Sequence, residues 1–188
     1  RETCDGVDND CDGEVDEVWA CNPGDCGDGT WGILPLDNET LYVNAEAPAG
    51  GNGSETAPFD TIQAGADAAA SAGGGMVAIA AGTYTENLFL DDSHVSVLLA
   101  GRCSDMVVID GSSGAEEAQA VLFGGGLDLC AEVRVTGVTI AGAPYGGVGV
   151  MSGYMILEHS IVEQNTPFGV FVVGSGRLSM DTVTIRDN

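Results

Sequence analysis

The chain contains no lysine. Its 188 residues carry 29 Asp and Glu against five arginines, Arg1, Arg102, Arg134, Arg177 and Arg186, for a formal net charge of -24. Nucleic acid and anionic membrane surfaces both require a basic patch, so this balance argues against them and for cations, or surfaces that cations bridge, as partners. No run approaches the ~18 apolar residues of a membrane span, and no membrane span is expected. A signal peptide's charged and apolar regions are also missing. The first residue is Arg1 rather than Met, which reads as a processed chain or a fragment. There is no Walker or dinucleotide motif and no nucleophile elbow. Aromatics are scarce, at 6%.

Glycine is abundant instead. The 29 glycines are about twice the ~7% average frequency, a mixture that suits tightly turning β-structure. Six cysteines fall in sequence as Cys4/Cys11, Cys21/Cys26 and Cys103/Cys130. Their even number points to three local disulfides and an oxidising, extracytoplasmic compartment, with buried thiols as the alternative. Zinc fits less well, because neither amino-terminal spacing has the matching second half of a structural site.

Three regions differ in texture: residues 1–18 are acidic, 19–58 are rich in Gly, Pro, Asp and Asn with one short strand, "TLYV", and 59–188 form the main domain. Within the last, "PFDTIQAGADAAASAGGG" reads as a helix starting at Pro58 or Asp60, carried by alanines and stopped at Gly73–Gly75. Short apolar alternations follow, each ended by Gly, Asp or Asn. Val138 and Ile140 reappear 22 residues on as Ser160 and Val162, then 23 on as Val183 and Ile185. Val133 and Val135 map to Met155 and Leu157, then to Leu178 and Met180, while "GVGV" at 147–150 maps to "GVFV" at 169–172. Three column pairs sharing one period are the signature of a solenoid. The expected fold is an all-β parallel β-helix with coils of about 22 residues and a short capping helix. Extrapolating backwards places Ile109, Val135, Leu157 and Met180 in one interior column, and puts Cys103 and Cys130 at one corner of adjacent coils.

From "YVNAEAPAGGNGSETAPFDTIQAGADAA" through "LLAGRCSDMVVIDGS" and the repeats, the chain resembles the right-handed parallel β-helix, or pectin-lyase-like, superfamily. In that family a short helix commonly caps the first coil, the role implied here for residues 59–72. The opening "CDGVDNDCDGEVDE" is similar to a metal-binding motif of cysteine-containing bacterial surface proteins and to the calcium repeats of thrombospondin. With Asp8 as position 1 of a calcium loop, Asp10 is position 3, Asp12 position 5, Gly13 the turn glycine, Glu14 supplies a backbone carbonyl and Asp16 is position 9. Trp19 stands where an EF-hand has its bidentate Glu, so Glu17, Asp25 or Asp28 would complete the shell. A Cys4–Cys11 bridge would close this loop in place of flanking helices. The alternative is a solvated acidic turn without a cation.

Coil alignment puts Thr136, Glu158 and Asp181 in one outward column and Glu132, Tyr154 and Arg177 in another. Glu158, Asp181 and Arg177 are therefore the catalytic candidates if the chain is a polysaccharide lyase or glycoside hydrolase. Solvated side chains on a short face are the plainer reading. His94 and His159 are expected in turns or at the surface. Glu163 and Arg186 should pair across coils, Asn165 and Asn188 should begin an asparagine ladder, and Phe171 and Val173 should point outward. The expectation is a calcium-binding structural or adhesive protein, secreted or on a bacterial cell surface. Its partners would be further coils or subunits stacked head-to-tail at an uncapped end, or cell-surface polysaccharide bridged by calcium. A carbohydrate-active or carbohydrate-binding solenoid is the second expectation.

Overall fold

The structure, a computed structural model, describes residues 26–94, 96–112, 122–124 and 132–188. Among the described residues the first strand is β1 (Leu41–Val43), then a helix α1 (Ile62–Ala72), followed by β2 (Gly75–Ile79), β3 (Gly82–Tyr84) and β4 (Leu88–Leu90). A 3-10 turn at Asp92–His94 leads into β5 (Val97–Gly101), β6 (Val107–Asp110) and β7 (Leu122–Gly124). The regular coils follow: β8 (Glu132–Thr136), β9 (Thr139–Ala141) and β10 (Val148–Val150); β11 (Tyr154–Glu158), β12 (Ile161–Glu163) and β13 (Val170–Val172); β14 (Arg177–Asp181) and β15 (Thr184–Arg186).

These strands stack into three parallel sheets, ordered β1-β2-β5-β8-β11-β14, β3-β6-β9-β12-β15 and β4-β7-β10-β13. The result is an all-β parallel solenoid of about four turns with one short helix. Alternation along each strand sends one set of side chains inward, where like stacks on like. Val77, Leu99, Val135 and Leu157 form one such column and Tyr84, Ile109, Ile140 and Val162 another, and all are buried. Met180 and Ile185 continue these columns and are about half exposed, because no strand follows them in the stack.

One expected column is corrected. Ile109 stacks on Ile140, and the residue above Val135 is Leu99. The period is longer at this step, since Val97 lies opposite Val133 whereas Val133 lies opposite Met155. Counting back a near-constant repeat therefore landed one sheet away. The later register is as expected, with Tyr154 between Glu132 and Arg177.

Two corners turn on residues in the left-handed region. Gly137, His159 and Thr182 have φ of 68°, 45° and 52°, and Gly142, Gln164 and Asp187 have 75°, 56° and 54°. The predicted asparagine ladder forms directly after the second of these corners. The buried Asn165 accepts from the Ala143 N–H at 3.1 Å and donates to the Ile140 and Glu163 carbonyls at 3.1 and 2.9 Å. Asn188 repeats this one coil on, accepting from the Asn165 backbone at 3.0 Å and donating to the Val162 and Arg186 carbonyls. Arg186 donates to Glu163 at 2.6 Å, the expected pair across coils.

Helix α1 starts three residues inside its expected bound. Thr61 is its N-cap, accepting from the Ala64 N–H, and Gly73 in the left-handed region ends it. Ile62, Ala66 and Ala69 turn inward against the first coil. Gly65 lets the helix approach, for a Cβ there would lie 2.6 Å from Val43 and 2.8 Å from Val77. The Gln63 amide serves the edge of β4 as a further strand would, accepting from the Phe89 N–H at 2.9 Å and donating to its carbonyl at 3.1 Å. Glu86 accepts the orphan N–H groups of Ile62 and Gln63 at 2.8 and 3.0 Å. Burial raises the Glu86 carboxyl above the usual range, against the lowering effect of those two bonds.

Two outcomes are expected. Asn165→Ala leaves buried backbone groups unpaired and should lower stability by about 2 to 3 kcal/mol in urea unfolding, more than Asn188→Ala at the exposed coil. Because the folded-state value of Glu86 is raised, its contribution is complete below the unfolded glutamate value and is lost as pH rises through the raised one. Stability measured by urea unfolding over that interval should decline less steeply with rising pH in Glu86→Gln.

Candidate functional site

The strongest local construction lies where the segment after the acidic loop meets the solenoid. The outer face of the first sheet carries small side chains there, Ala78, Ala80 and Ala100, and Trp31 and Leu34 lie over them with Tyr42 in a second buried cluster. Trp31 meets Tyr42 edge to face, ring centroids 4.8 Å apart at 62°. Arg102, at the end of β5, donates to the Cys26 carbonyl at 3.3 Å and the Gly27 carbonyl at 2.7 Å. Beside it Cys26 is joined to Cys103, Cα atoms 5.5 Å apart.

This bond corrects two expected pairings, Cys21–Cys26 and Cys103–Cys130. Cys103 follows the corner after β5, on the flank that the amino-terminal segment covers, so Cys26 reaches it directly. The longer step between β5 and β8, with Val97 opposite Val133, also removes the spacing argument on which the second pairing rested. Cys4, Cys11, Cys21 and Cys130 lie outside the described residues, as do Asp8, Asp10, Asp12, Glu14, Asp16 and Glu17. Among the described residues, Cys26, Cys103 and Asp105 are the one group whose potential ligand atoms lie within 4.8 Å of one another. With both sulfurs in a disulfide, the group has no thiolate to offer and acts as a covalent staple beside one carboxylate.

The polar face of the same sheet is the second candidate. Register places Thr136, Glu158 and Asp181 in one column and Glu132, Tyr154 and Arg177 in another. Glu158 faces Arg134 at 3.6 Å, and Arg134 also donates to Glu132 at 3.2 Å. Sequence alignment missed Arg134 because it stands in the column between the two that were compared, opposite Ile156. Glu158 therefore has an ion-pair partner other than Arg177. At the same corner the Thr136 hydroxyl and the His159 Nδ1 are buried without a hydrogen-bond partner among the described residues. Buried polar atoms of this kind are places where water or a ligand group is accommodated.

His94 lies in a turn, one of its two expected settings, and not at the surface. It is buried, its Nε2 3.0 Å from Asp67 of α1 and its Nδ1 3.0 Å from Asp91, so it ties the capping helix to the turn before β5. Ser93, through its hydroxyl and its N–H, holds the Asp91 carboxyl below its ordinary value, with His94 adding to the effect. No sequence signal distinguishes such a clamp from a surface histidine, since its partners are 27 residues away and three residues away on different elements. His159 does sit in a turn, at its left-handed corner.

No family model matches the chain, and no curated protein shows significant similarity to it.

Cys103→Ser should release the amino-terminal segment. The bridge spans 77 residues, for which chain entropy gives about 4.5 kcal/mol. Non-reducing peptide mapping should recover Cys26 with Cys103, and the variant should show faster proteolysis between residues 26 and 36 with the solenoid retained.

Proposed function

We propose that the chain is an extracytoplasmic structural or adhesive solenoid of the pectin-lyase-like kind, whose acidic amino-terminal loop binds calcium. The observation that carries this reading is the Cys26–Cys103 staple. It ties the segment that follows the acidic region to a packed body, as a calcium-dependent attachment requires, and a disulfide is compatible with an oxidising compartment. No helix among the described residues is long and apolar enough to cross a membrane. The residue pattern Asp8, Asp10, Asp12, Gly13, Glu14 and Asp16, followed by Glu17, supplies the oxygen donors that a hard cation of six to eight coordination takes. In this reading calcium neutralises part of the acidic charge, rigidifies the loop and bridges to anionic cell-surface polysaccharide.

A second reading is supported by the corner near Glu158, where two buried polar atoms lack partners among the described residues, beside an acid and an arginine. There Arg134 and Arg177 would hold a uronate carboxylate, with Glu158 and Asp181 as the acid and base. The Glu158–Arg134 pairing counts against it, because Arg134 already occupies the carboxylate that would have to meet the substrate.

Isothermal titration separates the readings. Calcium binding to the intact chain should be lost or weakened at least tenfold in Asp8→Ala and in Asp12→Ala, with the solenoid still folded. Unchanged uptake in both variants overturns the calcium loop. Cleavage of an acidic polysaccharide that disappears in Glu158→Gln would establish the second reading instead.

A further inference from the structure

Charge is spread unevenly over the solenoid. The chain has 34 charged residues (29 + 5), yet residues 142–153 and 165–176, one coil apart, contain none. Charge at 18% of the sequence would put about four there by chance. These stretches carry β10 and β13 with their flanking corners, two of the four strands of that sheet. On its outer face Phe89 is 50% exposed, and Gly149 and Phe171 lie in register. The Phe171 ring lies over Gly149, where a Cβ would be 2.4 Å from its Cζ. Tyr145 and Phe168 rim one side, 43% and 58% exposed, and Met151 and Val173 rim the other, 41% and 46% exposed. The other two sheets carry Arg134, Glu158, Glu163 and Arg186 on their outer faces.

We propose that this uncharged aromatic face is an interface through which two copies of the chain associate side by side. Depletion of charge with enrichment in aromatics and Met is the compositional mark of an interface core, in contrast to the rest of a protein's surface. The sign of the charge identifies the partner. A basic protein would be drawn to the acidic faces and gains nothing from a face stripped of charge. A second copy, itself at -24, is repelled everywhere except where both surfaces are neutral. A sugar would require several hydrogen-bonding side chains beside the rings, and these two stretches offer the Tyr145 hydroxyl, Ser152, Asn165, Thr166 and Ser175, with no charged or carboxamide group besides Asn165. Asn165 is buried in its ladder. Two such faces meet about a two-fold axis, each burying the same residues. Four strands at ~4.8 Å by six residues at ~3.3 Å give roughly 400 Å² of flat contact per copy. That is at the low end for specific association, so the dimer is weak, with a dissociation constant of roughly tens to hundreds of micromolar.

The test is sedimentation velocity of the 188-residue chain from about 5 to 500 μM, in chelator and at two salt concentrations. The chelator removes calcium bridging, so the outcome is independent of the calcium reading. The expected result is a reversible dimer that strengthens as salt screens the like charges. Phe168→Asp and Met151→Asp should each weaken it at least tenfold, and Phe168→Ser, which adds no charge, should weaken it less. Ile33→Asp, exposed on the amino-terminal segment, should leave it unchanged. All four variants should keep the parent far-ultraviolet dichroism, since the replaced side chains are exposed. A monomer at the highest concentration in both salts overturns the proposal. So does a dimer that survives Phe168→Asp with Met151→Asp, or one abolished by Ile33→Asp.

Discussion

Parallel, in-register stacking of one coil on the next is the constraint on which the rest of this structure depends. Each interior position is shared by a column rather than by a pair, so an aliphatic residue meets its counterpart above and below as well as across the coil. Val77, Leu99, Val135 and Leu157 are all fully buried in this way, in a body without a large aromatic core. Burial of each such side chain contributes about 1.5 to 3 kcal/mol, and a register slip would forfeit a whole column. The corners follow from the same constraint. A coil that repeats must turn at the same place each time, which is why left-handed residues recur at Gly137, His159 and Thr182, and why Asn165 and Asn188 can each serve the coil before them.

Stacking leaves a problem at the first coil, and α1 answers it with side chains that imitate the missing layer. Ile62, Ala66 and Ala69 cover the apolar interior, Gln63 satisfies both backbone groups of Phe89, and Glu86 returns the favour at the helix N-terminus. His94 then locks the helix to the turn before β5 through Asp67 and Asp91. These contacts form one connected set around a single short helix. The amino-terminal segment is attached by different means, because a chain lying on the outside of a sheet has no ladder to join. It relies on the Trp31 cluster, the Arg102 bonds and the covalent bond to Cys103.

The solenoid also sorts its chemistry by face. Since inward positions are filled by aliphatics, charge is confined to outward positions, and the three sheets then differ. Ion pairs lie on the first sheet between Arg134 and its acids and on the second between Glu163 and Arg186. The third presents rings and methyls. A face of each kind on one rigid rod allows an anionic protein to meet cations on one side and an uncharged surface on another without rearrangement.

The sequence by itself determined the solenoid, because several apolar columns in residues 133–188 share one period of about 22 residues, the mark of stacked coils. It also determined the capping helix, the Thr136–Glu158–Asp181 alignment, the asparagine ladder and the Glu163–Arg186 pair, all of which follow from register within regular coils. The donor set proposed for the acidic loop rests on local spacing alone, and its residues lie outside the described ones. Only the tertiary structure decided what depends on chain segments that the period does not relate. It put Ile109 in the column of Ile140 rather than Val135, because the coil containing β5 is longer than its successors. It joined Cys103 to Cys26, 77 residues away, buried His94 between acids from two elements, and gave Glu158 to Arg134. A repeat fixes neighbours one coil apart, whereas these contacts are made by a helix, a surface segment and a middle column whose positions are set by packing.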